Sequence, residues 1–163
     1  MSLISMVLFL YLLTFASGIL LEFYVVSDTT CWIVGPTSLG SYAIILSSNP
    51  GWSTKIPFAY WIWDIDGNLN SGNATITKNF YIAGAIKSGS LSIAADNYFT
   101  TYLNGEYANC KDTTGLTYKL NLGKNCDVTS YLVTGFNKLD VVVNNESYGP
   151  GSLMFKLTVL SNY

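Results

Sequence analysis

The chain has 163 residues, half of them apolar and only 11% charged, with eight lysines and ten acids giving a formal charge of −2. That much apolar side chain can offset the entropy of ordering one domain with a core, while the length is too short for two ordinary domains. Arginine and histidine are absent and the lysines are scattered from Lys55 to Lys156, so neither the clustered cations of a nucleic-acid footprint nor a Ser-His or Cys-His nucleophile pair is expected.

Residues 1–18 come first. SLISMVLFLYLLTFASG carries no charged side chain and ends in a small-residue pattern, Ala16-x-Gly18, which reads as a secretory signal peptide. Left uncut, the uncharged stretch reaches roughly the 20 residues that span a bilayer and serves as an N-terminal anchor. Either route places residues 19–163 outside the cytosol, secreted or at the cell surface.

From there on the periodicity is that of strands. EFYVV, CWIV and YAIIL open the domain as further strands of the same fold; the alternative is an arm that adds a strand to a neighbouring copy. PFAYWIW follows, with Trp61 and Trp63 on one face and Tyr60 on the other. In NATITKNFYI, Ile76, Lys78, Phe80 and Ile82 alternate with Thr75, Thr77, Asn79 and Tyr81. SLSIAA places Leu91, Ile93 and Ala95 on one face, and YFTTYLN does the same with Phe99, Thr101 and Leu103. Asp96-Asn97 and Asn104-Gly105 read as turns, giving three adjacent antiparallel strands, the third starting near Glu106. Asp127 and Thr129 cap a short turn, Gly135 permits a reversal, and Leu139, Val141 and Val143 enter the core. SLMFKLTVL closes the chain with Leu153, Phe155, Leu157 and Val159 inward. Many short strands broken by Gly, Asn, Asp and Pro predict an all-β antiparallel β-sandwich in one domain over 19–163.

Three cysteines are present. In an oxidising compartment Cys110 and Cys126 can close a short loop by a disulfide worth about 3 kcal/mol. Cys31 is then left as a small buried hydrophobe or an intermolecular bridge, and it could also pair with either of the other two. Asn73-Ala74-Thr75 and Asn145-Glu146-Ser147 are N-glycosylation sequons, so Asn73 and Asn145 are expected on exposed surface.

The order PFAYWIW, TITKNFYIAG, SLSIAADNYFTTYLNGEY, CDVTSYLVTGFNKLDVVVNN and GPGSLMFKLTV resembles the galactose-binding-domain-like β-sandwich, the jelly roll shared by discoidin-type lectins and many carbohydrate-binding modules. The resemblance covers roughly residues 52–160. Its most specific parts are A-D-N-x-F-x-x-Y-L-N-G at 95–105 and D-V-T-S-Y-L at 127–132 leading through Gly135-Phe136-Asn137 into an aliphatic strand. It implies a lectin-like protein that grips glycans or glycoproteins through loops at one end.

For that role the expected residues are Trp52, Asp64, Asp66, Asp96 and Tyr98. Trp52 follows Pro50-Gly51 in a loop and Tyr98 stands at a turn, where aromatic rings stack on sugar C–H faces. Trp61 and Trp63 read as core. DIDGNLNSGN groups Asp64 and Asp66 with amide oxygens, hard donors that suit Ca²⁺. The loop departs from an EF-hand, because Gly67 comes too early and Thr75 stands where the last acid belongs, so an Asp-Gly turn is the plainer reading. With no pair of acids that would face each other across a substrate, the chain reads as non-enzymatic and without a cofactor other than a possible Ca²⁺. The alternative function is a self-assembling structural protomer of an extracellular coat, filament or surface appendage, joined through strand edges or Cys31.

Overall fold

In the computed structural model, which describes residues 18–47, 49–67, 71–146 and 149–163, the alternation becomes two antiparallel sheets packed face to face. The first sheet contains β1 (Leu20–Val26), β4 (Ile44–Ile45), β5 (Ile62–Trp63), β7 (Ala85–Asp96), β10 (Lys124–Asp127) and β12 (Ser152–Asn162). Its order is β10-β7-β12-β5-β4, with β1 also paired to β12. The second contains β2 (Trp32–Val34), β3 (Ser41–Tyr42), β6 (Gly72–Ile82), β8 (Tyr98–Leu103), β9 (Glu106–Lys111) and β11 (Gly135–Asn145), ordered β3-β2-β6-β11-β8-β9. This is the antiparallel β-sandwich expected from the sequence. Residues 1–17, and with them nearly all of the expected signal, lie outside the described residues. Among the described residues no helix is long and apolar enough to cross a membrane.

The core is built from the predicted inward faces. Leu153, Phe155, Leu157 and Val159 of β12 meet Leu91, Ile93 and Ala95 of β7 on one side and Ile76, Ile82, Leu139, Val141 and Val143 of the second sheet on the other, all essentially inaccessible. Lys78 shares the inward face of β6 because Asp28 waits for it at 2.7 Å. Burial pushes the Asp28 carboxyl up, and donors from Lys78 and Thr30 outweigh that and hold it below its ordinary value. The segment before residue 52 joins the same domain, β1 along β12 and β2 along β6. Thr129 donates to Asp127 through both its backbone N–H, at 3.0 Å, and its hydroxyl, at 2.6 Å, tying Asp127 to the start of the turn Thr129–Tyr131, whose N-cap position is Val128.

Three local expectations are corrected. Asp96-Asn97 does not reverse the chain within one sheet: β7 belongs to the first sheet and β8 to the second, so these two residues carry the chain across the sandwich. Of the two turns, Asn104-Gly105 does make the expected hairpin, both residues having positive φ, 54° and 86°, as a two-residue turn requires. YAIIL is divided, since Ser41–Tyr42 pairs with β2 and Ile44–Ile45 with β5, the switch falling at buried Ala43. PFAYWIW contributes just Ile62–Trp63, because Phe58 adopts φ 69° and Ala59 bonds back to Ile56, bending the chain before the strand starts.

Cys110 and Cys126 form the disulfide. Cys31 is free and fully buried, so a bridge between copies through it would require the fold to open. Asn73 is exposed on β6. Asn145 is not the surface residue the second sequon implied: it is 2% exposed and donates to the Gly149 carbonyl. A glycan there would have to displace that packing; Ser147 of the same sequon lies outside the described residues.

Candidate functional site

Between β4 and β5 the chain makes a long excursion, described over residues 46–47 and 49–61, part of which lies against the outward-facing Met154 of the first sheet. The excursion is pinned to the turn Thr117–Lys119: Ser53 and Thr54 donate their N–H groups to the Tyr118 carbonyl at 3.0 and 3.1 Å, and the Thr54 hydroxyl donates to the Thr117 carbonyl at 2.9 Å. That turn is itself tied to β7, where the Ala95 N–H donates to the Thr117 hydroxyl. A rigid platform therefore holds Trp52 in place.

The Trp52 ring is fixed from two directions. It packs against Trp61 with centroids 4.8 Å apart and an interplanar angle of 34°. Its Nε1–H donates to Asp96 Oδ2 at 2.8 Å, while Asn97 Nδ2 donates to the other carboxylate oxygen at 2.8 Å. The two tryptophans are half-buried, so their exposed faces are available to a ligand. Trp52 divides two open clefts. One, of about 240 Å³, is bounded by Asn49, Pro50, Ile65, Asp66 and Gly151. The other, of about 310 Å³, holds Trp61, Lys55 and Ile56, with Met154 of β12 also in its lining.

Of the five residues expected to meet sugar, Trp52 and Asp66 line a cleft; Asp64, Asp96 and Tyr98 line neither. Asp64 accepts the backbone N–H and hydroxyl of Thr37 at 2.8 and 2.7 Å, closing a different loop. Asp66 accepts the Ser47 hydroxyl at 2.7 Å, and the Ser47 donors hold its carboxyl below the ordinary value. The two acids thus turn to separate partners, an arrangement that does not converge on a cation, and among the described residues no group of three or more His, Cys, Asp or Glu side chains gathers. Tyr98 is half-buried beside Gly115, its hydroxyl pushed up by the charge and hydrogen bond of Glu146. Trp61, read as core, is the residue the sequence analysis missed; Trp63 is the core member, with no exposed surface.

Asp96 makes the cleft sensitive to acid. Burial raises its carboxyl above the ordinary value against the opposing pull of the Trp52 hydrogen bond and the Lys119 charge. Because the folded value is raised, the stability it contributes is present below the unfolded value of about 3.9 and is lost as pH rises through the folded one. Ionisation next to the indole N–H is expected to change tryptophan fluorescence with a midpoint above about 3.9, a transition that Asp96→Asn removes. A midpoint at or below that value, or the same transition in Asp96→Asn, would refute this.

No family model and no curated protein sequence matches the chain. Solved structures do. An α-L-rhamnosidase from Streptomyces avermitilis, complexed with L-rhamnose, aligns over 83% of this chain at 17% identity and a TM-score of 0.51. A β-glucuronidase from Ruminococcus gnavus, in complex with an N1-substituted uronic isofagomine, aligns over 85% at 14% identity and a TM-score of 0.52. A family 35 carbohydrate-binding module from Clostridium thermocellum aligns over 83% of this chain and 97% of its own length, at 14% identity and a TM-score of 0.49. The chain spans only 11% of the rhamnosidase and 30% of the glucuronidase. At such identities the likeness is one of architecture: the chain shares the two-sheet antiparallel β-sandwich fold of these domains.

Proposed function

We propose that this chain is an exported, non-catalytic carbohydrate-binding protein that grips sugar at the Trp52–Trp61 cleft. The observation that carries the reading is the pair of half-exposed tryptophans, locked by packing at 4.8 Å and by the Asp96 hydrogen bond and bordered by the polar side chains of Asn49 and Lys55. Aromatic faces take the apolar faces of a sugar ring, and a few fixed polar groups set its orientation. The fold's occurrence as a small part of enzymes solved with L-rhamnose and with a uronic isofagomine supports the same reading.

The way the nearby acids are engaged supports the non-catalytic reading. Asp64 serves Thr37, Asp66 serves Ser47, and Asp96 serves Trp52 and Asn97. A glycosidase needs two carboxyls free to face each other across the scissile bond. Export rests on the residues 1–18 pattern and on the Cys110–Cys126 disulfide, which persists in an oxidising compartment.

Trp52→Ala and Trp61→Ala are each expected to weaken sugar binding at least tenfold, about 1.4 kcal/mol, with unchanged circular dichroism. Tyr98→Phe, outside both clefts, is expected to bind as the parent does. A glycan array followed by titration calorimetry on its best hit measures this, and unchanged affinity in both tryptophan variants sinks the cleft. The structural-protomer reading is favoured by one feature, the hydrophobic strand LLEFYVV of β1, whose far side has no strand beside it among the described residues. Concentration-dependent sedimentation that Tyr24→Lys abolishes would support it.

A further inference from the structure

The outer face of the second sheet carries a feature that only the strand register reveals. Tyr42 lies opposite Trp32, Trp32 opposite Thr77, and Thr77 opposite Asp140. Asp140 in turn lies opposite Tyr102, and Tyr102 opposite Tyr107. Directly opposed residues share a face, so these six side chains form one row across all six strands, roughly 24 Å at about 4.8 Å per strand. The row faces outward, because the next residues along the strands, Ile33, Ile76 and Val141, point into the core.

Each end of the row is an aromatic corner. Trp32 and Tyr42 meet edge to face at 5.5 Å and 85°, and Tyr102 and Tyr107 at 6.2 Å and 62°. Trp32, Tyr42 and Tyr107 are 44%, 66% and 40% exposed. Trp32 also packs on Gly40, where a Cβ would come within 2.8 Å of Cζ2, so a larger residue there would have to push the ring aside. Between the corners the row is polar and neutral: the Thr77 hydroxyl donates to Asp140 Oδ1 at 2.6 Å, and Lys138 Nζ lies 2.8 Å from Oδ2.

We propose that this row, two aromatic corners flanking the Thr77–Asp140–Lys138 centre, is a second carbohydrate platform that takes an extended, uncharged glycan chain laid across the sheet. An edge-to-face pair offers one ring as a stacking surface and the other as a wall, which positions a flat sugar ring. The centre offers fixed donors and acceptors to hydroxyl groups. Its chemistry disfavours the other occupants. A protein interface is depleted of charge at its middle, where this row carries an ion pair. An acidic polymer needs free cations along its path, and at the centre of the row Lys138 is paired with Asp140, leaving the single exposed Lys111 at the β9 end. Three strand spacings, about 14 Å, separate Trp32 from Tyr102, more than one sugar ring covers, so the ligand is an oligosaccharide or polymer. The platform shares its ligand class with the proposed cleft but none of its residues.

Affinity electrophoresis of the full chain through gels containing xylan, mixed-linkage β-glucan, galactan or glucomannan tests the platform. At least one of these polymers is expected to retard the parent, and the Trp32→Ala, Tyr107→Ala double variant to need at least ten times more of it for the same retardation. Tyr42→Ala and Tyr107→Ala alter exposed rings, so if the double variant unfolds this pair decides the matter, with at least a threefold loss expected from each. Retardation of the parent by none of the four polymers, or equal retardation of parent and variants, overturns the proposal. So does self-association of the parent in sedimentation that Trp32→Ala abolishes, since the face would then be occupied by a second copy. The cleft is read separately, by short sugars on Trp52→Ala, so either site can fail without the other.

Discussion

Replacing Cys110 and Cys126 together by serine is expected to destabilise the protein by about 3 kcal/mol, the closure entropy of a loop of that size. The two half-cystines are 16 residues apart and both buried, Cys110 in β9 at one edge of the second sheet and Cys126 in β10 at one edge of the first. The bond therefore closes one side of the sandwich where two edge strands would otherwise meet only through side chains, among them Lys124 Nζ donating to the Lys111 carbonyl at 2.7 Å. A loss of that size lowers the melting temperature by roughly 6–12 °C in a domain of about 150 residues. Thermal unfolding followed by circular dichroism measures it, and reductant added to the parent is expected to reproduce it. A fall of under 2 °C in both experiments would show that packing across the two edges suffices without the covalent link.

What could be read in advance follows from which interactions are local. Leu153, Phe155, Leu157 and Val159 betrayed their face because a two-residue period with one side buried leaves no freedom of register. Asn104-Gly105 was legible for a similar reason, since its positive φ angles are a property of the dipeptide. Asp96-Asn97 was not: a short polar pair can reverse a chain within a sheet or pass it to the other sheet, and the choice is made by partners far away, β12 for β7 and β11 for β8. The strand Lys124–Asp127 was missed because KNCD has little strand character, its place being set by β7 alongside and by the disulfide. The site divides in the same way. Trp52 stood out by its Pro-Gly loop, whereas Trp61 joins it only because the excursion between β4 and β5 folds back against Met154. Asp96, expected to meet ligand, meets the Trp52 indole, a contact spanning 44 residues that no local pattern encodes.

Trp63→Ala is expected to produce the largest single loss, about 3–5 kcal/mol, the usual cost of emptying a large buried aromatic site. Trp63 has no exposed surface and sits between β4 and β12, with Gly151 so tightly against it that a Cβ there would lie 2.4 Å from Cζ2. Neighbours held by two sheets cannot collapse far into the space left behind. Trp63→Phe separates packing from polarity: the buried Nε1 of Trp63 has no hydrogen-bond partner among the described residues, so phenylalanine forfeits none of the hydrogen bonds described and removes an uncompensated donor. It is expected to cost less than half as much as alanine in urea denaturation. The position also couples core to site, since Gly151 packs on Trp63 and lines the first cleft beside Trp52. Sugar binding should consequently weaken in Trp63→Ala and survive in Trp63→Phe when both are assayed where they remain folded. Equal stability losses in the two variants would mean that the indole is held by something other than its fit. Undiminished binding in Trp63→Ala would mean that Gly151 keeps its place without the ring beneath it.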